Sequence, residues 1–146
     1  EAVRLLLDAG ADTNVADFDG QTALMSASEK GHVEVVRLLL EAGANTNVTH
    51  RHGYTALMSA SEKGHVEVVR LLLEAGANTN ARHRYGYTAL MSASDRGHVE
   101  AVRLLLDAGA DTNVADFDGQ TALMSASEKP VPIPRRQATA AATQLS

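Results

Sequence analysis

The stretch GHVEVVRLLLEAGANTN stands at residues 31–47 and again, unchanged, at 64–80; a near copy, GHVEAVRLLLDAGADTN, stands at 97–113. The copies begin 33 residues apart. The end of one more copy runs from Glu1, and the block Glu1–Lys30 recurs residue for residue as Glu100–Lys129. A period of this length marks a linear array of small supersecondary units, each unable to bury its apolar face alone.

The glycines fall into the same register. All 11 occupy three positions of the unit: before the repeated His-Val (Gly31, Gly64, Gly97), after the LLL run (Gly10, Gly43, Gly76, Gly109), and in the polar link (Gly20, Gly53, Gly86, Gly119). Each class reads as punctuation at a helix end or turn. Two helices lie between them. The first is predicted from about Ala23 to Lys30, with Thr22 as N-cap and Leu24, Ala27 and Ser28 along one side. The second is predicted from about His32 to Ala42, with Val33, Val36, Leu39 and Leu40 on one face and Glu34 placed to pair with Arg37. A one-glycine link turns the two helices antiparallel. Both are too short to persist alone, since isolated helices below roughly 12–15 residues are marginal in water. The polar link between units, such as ANTNVTHRHGYT at 44–55, is predicted to form a projecting hairpin, because Asp17-Phe18-Asp19-Gly20 carries type I turn preferences. The Asn row (Asn14, Asn47, Asn80, Asn113) is expected to hydrogen-bond the loop backbone.

The stretch DFDGQTALMSASEKGHVEVVRLLLEAGANTN, Asp17 to Asn47, resembles the ankyrin repeat, whose pattern is roughly D-x-x-G-x-T-P-L-H-x-A-A-x-x-G-H-x-x-V-V-x-x-L-L-x-x-G-A-x-x-N. The resemblance extends over residues 1–129. It implies an all-α repeat solenoid of stacked antiparallel helix pairs with projecting β-hairpin loops, which binds other proteins through the hairpin tips and the concave face. The expected divisions are a half-repeat at 1–16, repeats at 17–49, 50–82 and 83–115, a half-repeat at 116–129, and a disordered tail rich in Pro, Ala and Thr at 130–146. Starting at Glu1 inside a unit, the chain reads as a fragment, and its outermost helices are expected to lack the polar outer face of a capping repeat.

Two departures from the pattern stand out. T-P-L-H is T-A-L-M in each copy, so Met25, Met58, Met91 and Met124 replace a histidine; units spaced by about one helix diameter, roughly 10 Å, are too far apart to share an ion, and packing is the expected role. His50 and His83 replace the aspartate of the outer copies. This is expected to weaken the turn and to mark a selected surface. His32, His65 and His98 are, by the resemblance, structural residues of the inter-helix turn.

Aromatic residues make up only 3% of the chain, so the core must be aliphatic. Phe18, Tyr54, Tyr85, Tyr87 and Phe117 are all expected at the exposed hairpin tips, where amphipathic rings suit protein interfaces. Charge divides there too, with Asp17, Asp19, Asp116 and Asp118 at the ends and His50, Arg51, His52, Arg82, His83 and Arg84 in the middle. The expected partner-binding set is therefore Phe18, Asp19, Arg51, His52, Tyr54, Arg84, Tyr85, Tyr87, Phe117 and Asp118. A nucleic-acid patch on Arg51, Arg82 and Arg84 with stacking tyrosines is the alternative, but a net charge of −5 disfavours it. A third reading has the array position a catalytic domain elsewhere in a longer chain.

No cysteine is present, which removes disulfides, thiolate metal sites and thiol nucleophiles. A zinc site from His50, His52 and His83 lacks a convergent carboxylate, and no metal or cofactor is expected. Every titratable group recurs as a repeat position, and no phosphate-binding glycine loop occurs, so the segment is not expected to be an enzyme. No apolar run approaches the roughly 18 residues that cross a bilayer. Asn47-Val48-Thr49 is a formal glycosylation sequon, not credited without a secretory signal; an intracellular setting, cytoplasmic or nuclear, is expected.

Overall fold

The computed structural model describes residues 1–128; the expected tail at 130–146 lies outside them. Among the described residues there are eight helices and no strand: α1 (Ala2–Asp8), α2 (Ala23–Lys30), α3 (Val33–Glu41), α4 (Ala56–Lys63), α5 (Val66–Glu74), α6 (Ala89–Asp95), α7 (Val99–Asp107) and α8 (Ala122–Glu128). They form two rows. In one, α2, α4, α6 and α8 pack in succession; in the other, α1, α3, α5 and α7 do so; and α2, α4 and α6 each pack on the following helix of the other row. The fold is therefore an all-α repeat solenoid.

Local chemistry sets the helix ends. The hydroxyls of Thr22, Thr55, Thr88 and Thr121 accept hydrogen bonds from the N–H groups of Met25, Met58, Met91 and Met124 at 3.2–3.3 Å, as N-caps do. At the far end of α4, Gly64 sits in the left-handed region at φ +73°, its N–H bonded to the Ser61 carbonyl, while the His65 N–H reaches the Ala60 carbonyl. This glycine-terminated end closes the last turn and reverses the chain.

The core is aliphatic. Val36, Val68, Val69, Leu72, Ala101 and Leu105 are fully buried on the second helices, and Leu24, Leu57 and Leu90 are nearly so on the first. Met25, Met58 and Met91 are buried with them, in line with a packing role. The hydroxyls of Ser28 and Ser61 are buried with no hydrogen-bond partner among the described residues, so these serines act as small packing groups. The pairs Glu34–Arg37 and Glu67–Arg70 close at 3.1 and 3.3 Å but are solvent-exposed, where such pairs are worth only a few tenths of a kcal/mol. The outermost helices are apolar on their free sides: Leu5 and Leu6 on α1 and Leu123 and Met124 on α8 are exposed.

Three sets of hydrogen bonds tie each unit to the next. Asn14, Asn47 and Asn80 accept from the N–H groups of Asn45, Asn78 and Asp111, all at 2.8 Å. The Nε2 atoms of His65 and His98 lie 2.9 Å from the carbonyls of Glu29 and Glu62 in the preceding unit. The third set joins the hairpins.

Candidate functional site

Each hairpin is a turn closed by main-chain bonds rather than a ladder of strands. The Asp17 N–H donates to the Gln21 carbonyl and the Gly20 N–H to that of Asp17, and the pattern recurs at His50, His83 and Asp116. The tips are then joined across units. The N–H of Arg51 donates to the Asp19 carbonyl at 2.8 Å, that of Arg84 to His52 at 2.9 Å, and that of Phe117 to Tyr85 at 3.3 Å. A tip held by both its own turn and its neighbour presents its side chains from a fixed backbone.

The expected binding residues separate into two groups. Phe18, Arg51, Arg84 and Phe117 take the second position of the turn, and Asp19, His52, Tyr85 and Asp118 the third. Phe18, Tyr85 and Phe117 are the exposed aromatics, with Phe18 fully open to solvent. Arg51 pairs with Asp19 at 3.3 Å, Arg84 lies 5.7 Å from the Tyr85 ring centroid and 3.4 Å from His52 Nδ1, and Arg82 donates to the carbonyls of Gly86 and Ala115 beneath the Phe117 ring. The guanidinium groups of the alternative nucleic-acid patch are thus engaged within the chain.

Tyr54 and Tyr87 do not sit at tips, as the sequence reading had them. Each directly precedes an N-cap threonine, and this position carries the ring back against the helix row, half-buried on the core. There they meet the histidines. Ring centroids are 5.1 Å apart for His50–Tyr54, 4.7 Å for Tyr54–His83 and 5.1 Å for His83–Tyr87, the last pair stacked within 7° of parallel. A continuous aromatic ladder therefore crosses two units, each such contact contributing about 0.5–1.5 kcal/mol beyond burial. The pairing of His50 and His83 with tyrosines four residues further on was the signal in the sequence, since all four occur only in the two middle hairpins.

The histidines also correct the expectation of a simply weakened turn. In the outer hairpins one carboxylate oxygen accepts two N–H groups: Asp17 takes those of Asp19 and Gln21, and Asp116 those of Asp118 and Gln120. In the middle hairpins an imidazole Nδ1 takes over the first of these bonds, His50 accepting from the His52 N–H and His83 from the Tyr85 N–H, both at 2.9 Å. One bond is kept, and in place of the second His50 meets a tilted tyrosine ring and His83 a stacked one. An accepting Nδ1 fixes the neutral tautomer with its proton on Nε2.

His83 is 6% exposed, and burial pulls its pKa below the ordinary histidine value. The unfolded chain therefore binds a proton that the folded chain resists. Stability from this group is complete above the unfolded value near 6.5 and is lost as pH falls from there through the lower folded value. Urea midpoints measured at pH 7.5 and 5.0 are expected to fall more for the native chain than for His83→Asp, whose carboxylate keeps an acceptor at this place without titrating in that window. Equal falls for the two would contradict this account.

Between the hairpins and the ends of α4 and α6 lies a cavity of about 360 Å³, walled by Tyr54, His83, Tyr85 and Tyr87 and rimmed by Glu62, Asp95, Arg96 and Asp118. Glu62 holds Arg96 at 3.0 Å. Burial first, then the nearby Glu62 carboxylate, raises the pKa of the Tyr54 phenol, which stays protonated at neutral pH. Among the described residues, no group of three or more His, Cys, Asp or Glu is placed to hold a metal ion, and no helix is long and apolar enough to cross a membrane.

Comparison with known families agrees with the geometry. A family model described as ankyrin repeats (3 copies) matches residues 1–83, and a second, ankyrin repeats (many copies), matches residues 72–124. No curated protein matches the chain.

Proposed function

The chain belongs to the ankyrin repeat family, whose repeats are generally protein–protein interaction modules, and we propose that it is a non-catalytic scaffold gripping a partner protein through its hairpin tips and the groove beneath them. The observation that carries this reading is the set of exposed rings at the tips: Phe18 at 110%, Phe117 at 72% and Tyr85 at 62% relative exposure. Solvent-facing aromatics on a backbone fixed by cross-unit hydrogen bonds lose little entropy on binding, which is what makes such residues anchors. The proposed contact set is Phe18, Asp19, Arg51, His52, Arg84, Tyr85, Phe117 and Asp118 at the tips, with Tyr54 and Tyr87 as the groove wall.

The variant Phe18→Ala/Tyr85→Ala/Phe117→Ala removes the exposed rings and leaves the core alone. It is expected to keep the helical circular dichroism of the native chain and to lose capture of a partner identified with the native chain, by at least about a hundredfold in affinity if two or more of the rings are anchors. Capture at native affinity would overturn the reading. Alanine at Tyr54 or Tyr87 is a poorer test, because those rings also pack on the core.

A further inference from the structure

The hairpin that carries Arg84 and Tyr85 hangs on a ring nitrogen. Main-chain bonds close its turn, and one side-chain bond supports it, in which the Tyr85 N–H donates to Nδ1 of His83 at 2.9 Å. The two partners of that bond differ in their freedom to move. The His83 ring is 6% exposed and packs 4.7 Å from the Tyr54 centroid and, stacked, 5.1 Å from that of Tyr87. Tyr85 and Arg84 are exposed. The Tyr85 carbonyl also takes the Phe117 N–H of the next hairpin at 3.3 Å, so the residue that depends on Nδ1 joins two tips.

A proton on Nδ1 turns this acceptor into a donor, and two N–H groups then face each other. The surroundings decide whether the fold can absorb that charge. Glu62 on α4, Asp95 and Arg96 on α6 and Asp118 in the next hairpin share the cavity with the ring, and the phenols of Tyr54, Tyr85 and Tyr87 complete its wall. Arg82 and Arg84 flank the ring in its own hairpin. Three carboxylates thus stand against three guanidinium groups. Glu62 is already paired with Arg96 at 3.0 Å, and Asp95 is engaged as well. Burial weighs first against a charged ring; a backbone bond and the Glu62 carboxylate favour one, and His50 in the preceding hairpin opposes it. The ring is packed and the tip is exposed, so it is the tip that yields. We infer that His83 is the positioning residue of the Arg84–Tyr85 tip and makes that tip proton-sensitive: the neutral ring holds it in place, and protonation at Nδ1 releases it while the helix stack stays folded. The outer hairpins lack this device, since Asp17 and Asp116 offer carboxylates to the matching N–H groups of Asp19 and Asp118. Taken with the scaffold reading, a partner seated on Tyr85 binds the neutral form and is held less tightly in acid.

The device belongs to the free chain, so its test needs no partner, and its failure leaves the scaffold reading standing. Amide resonances of the isotope-labelled whole chain are followed between pH 7.5 and 5.0, the window around the ordinary histidine value, together with the His83 ring nitrogens. Nδ1 is expected to carry no proton at the upper end. As pH falls, the Tyr85 amide is expected to shift in step with the His83 ring. Its protection from solvent exchange should drop about fivefold relative to the Asp118 amide, as the loss of one hydrogen bond gives. The amides of α4 and α6 should keep theirs. His83→Asn places an uncharged acceptor oxygen where Nδ1 stands and is expected to abolish the pH response at Tyr85, and His83→Asp, the outer-hairpin residue, to do the same. Losing the ring stack lowers stability at every pH but does not by itself move a pH profile. A proton on Nδ1 at pH 7.5, parallel behaviour of the Tyr85 and Asp118 amides, or a Tyr85 response that persists in His83→Asn would overturn the inference. So would loss of protection at all helix amides together, which is melting and not the release of a tip.

Discussion

Leu72→Ala is expected to destabilise the array by about 2–5 kcal/mol, the range for removing a large aliphatic side chain from a packed interior. Leu72 lies on α5 in the middle of the stack and is fully buried. It belongs to a unit that touches a neighbour on both sides, and in a solenoid stability is the sum of each unit's own and its nearest-neighbour interfaces. A cavity at this position therefore weakens two interfaces at once. Urea unfolding followed by circular dichroism is expected to show a lower midpoint, with a shallower slope if the halves begin to melt separately. The comparison is built into the chain. Leu6 occupies the same repeat position in the same Leu-Leu-Leu run, yet is 61% exposed, and Leu6→Ala is expected to stay within about 0.5 kcal/mol, as surface changes do. Equal losses at the two sites would show that the stack does not bury this row as described.

Gly64→Ala is expected to cost about 2–3 kcal/mol from two sources. A residue with a Cβ pays about 1–2 kcal/mol in the left-handed conformation that Gly64 holds. The added carbon would also lie 2.6 Å from His98 Nδ1, and that ring is held by its Nε2 on the Glu62 carbonyl. Moving it gives up a bond between units worth roughly 0.5–1.5 kcal/mol. Gly97 has the same φ of +73° with nothing within 4 Å of a Cβ, so Gly97→Ala carries the backbone strain alone. The difference between their urea midpoints measures the histidine contact, and no difference would remove it from the account.

Much of the architecture was legible because its causes are local. The Thr22 cap, the bounds of α2, the burial of Val36 and Leu39, and the Asn14 row each follow from residues a few places apart in a repeating register. What the sequence could not show is anything that depends on a neighbour in space. Leu24 and Leu123 share one local sequence, yet one is 1% and the other 76% exposed, according to whether a further helix covers it. Tyr85 and Tyr87 are two residues apart, and one stands at a tip while the other turns inward. That His83 accepts the Tyr85 N–H in place of a carboxylate depends on ring placement, which residue type alone does not give. The candidate residues read as one exposed patch in the sequence, where the fold divides them into tips and groove.

The bonds between units have one more consequence, for the length of the array. The Asn bonds each span 31 residues and the His contacts 36, so the junctions are interchangeable copies of one another. An in-frame excision of residues 34–66 joins Val33 to Glu67 and restores GHVEVVRLLL without a scar. The stack is indifferent to how many units it holds. The groove is not, because the same excision discards His50 and Tyr54 and leaves His83 and Tyr87 beside an outer-type hairpin. Copy number in such a chain is thus a means of recutting the recognition surface while the architecture stays as it was.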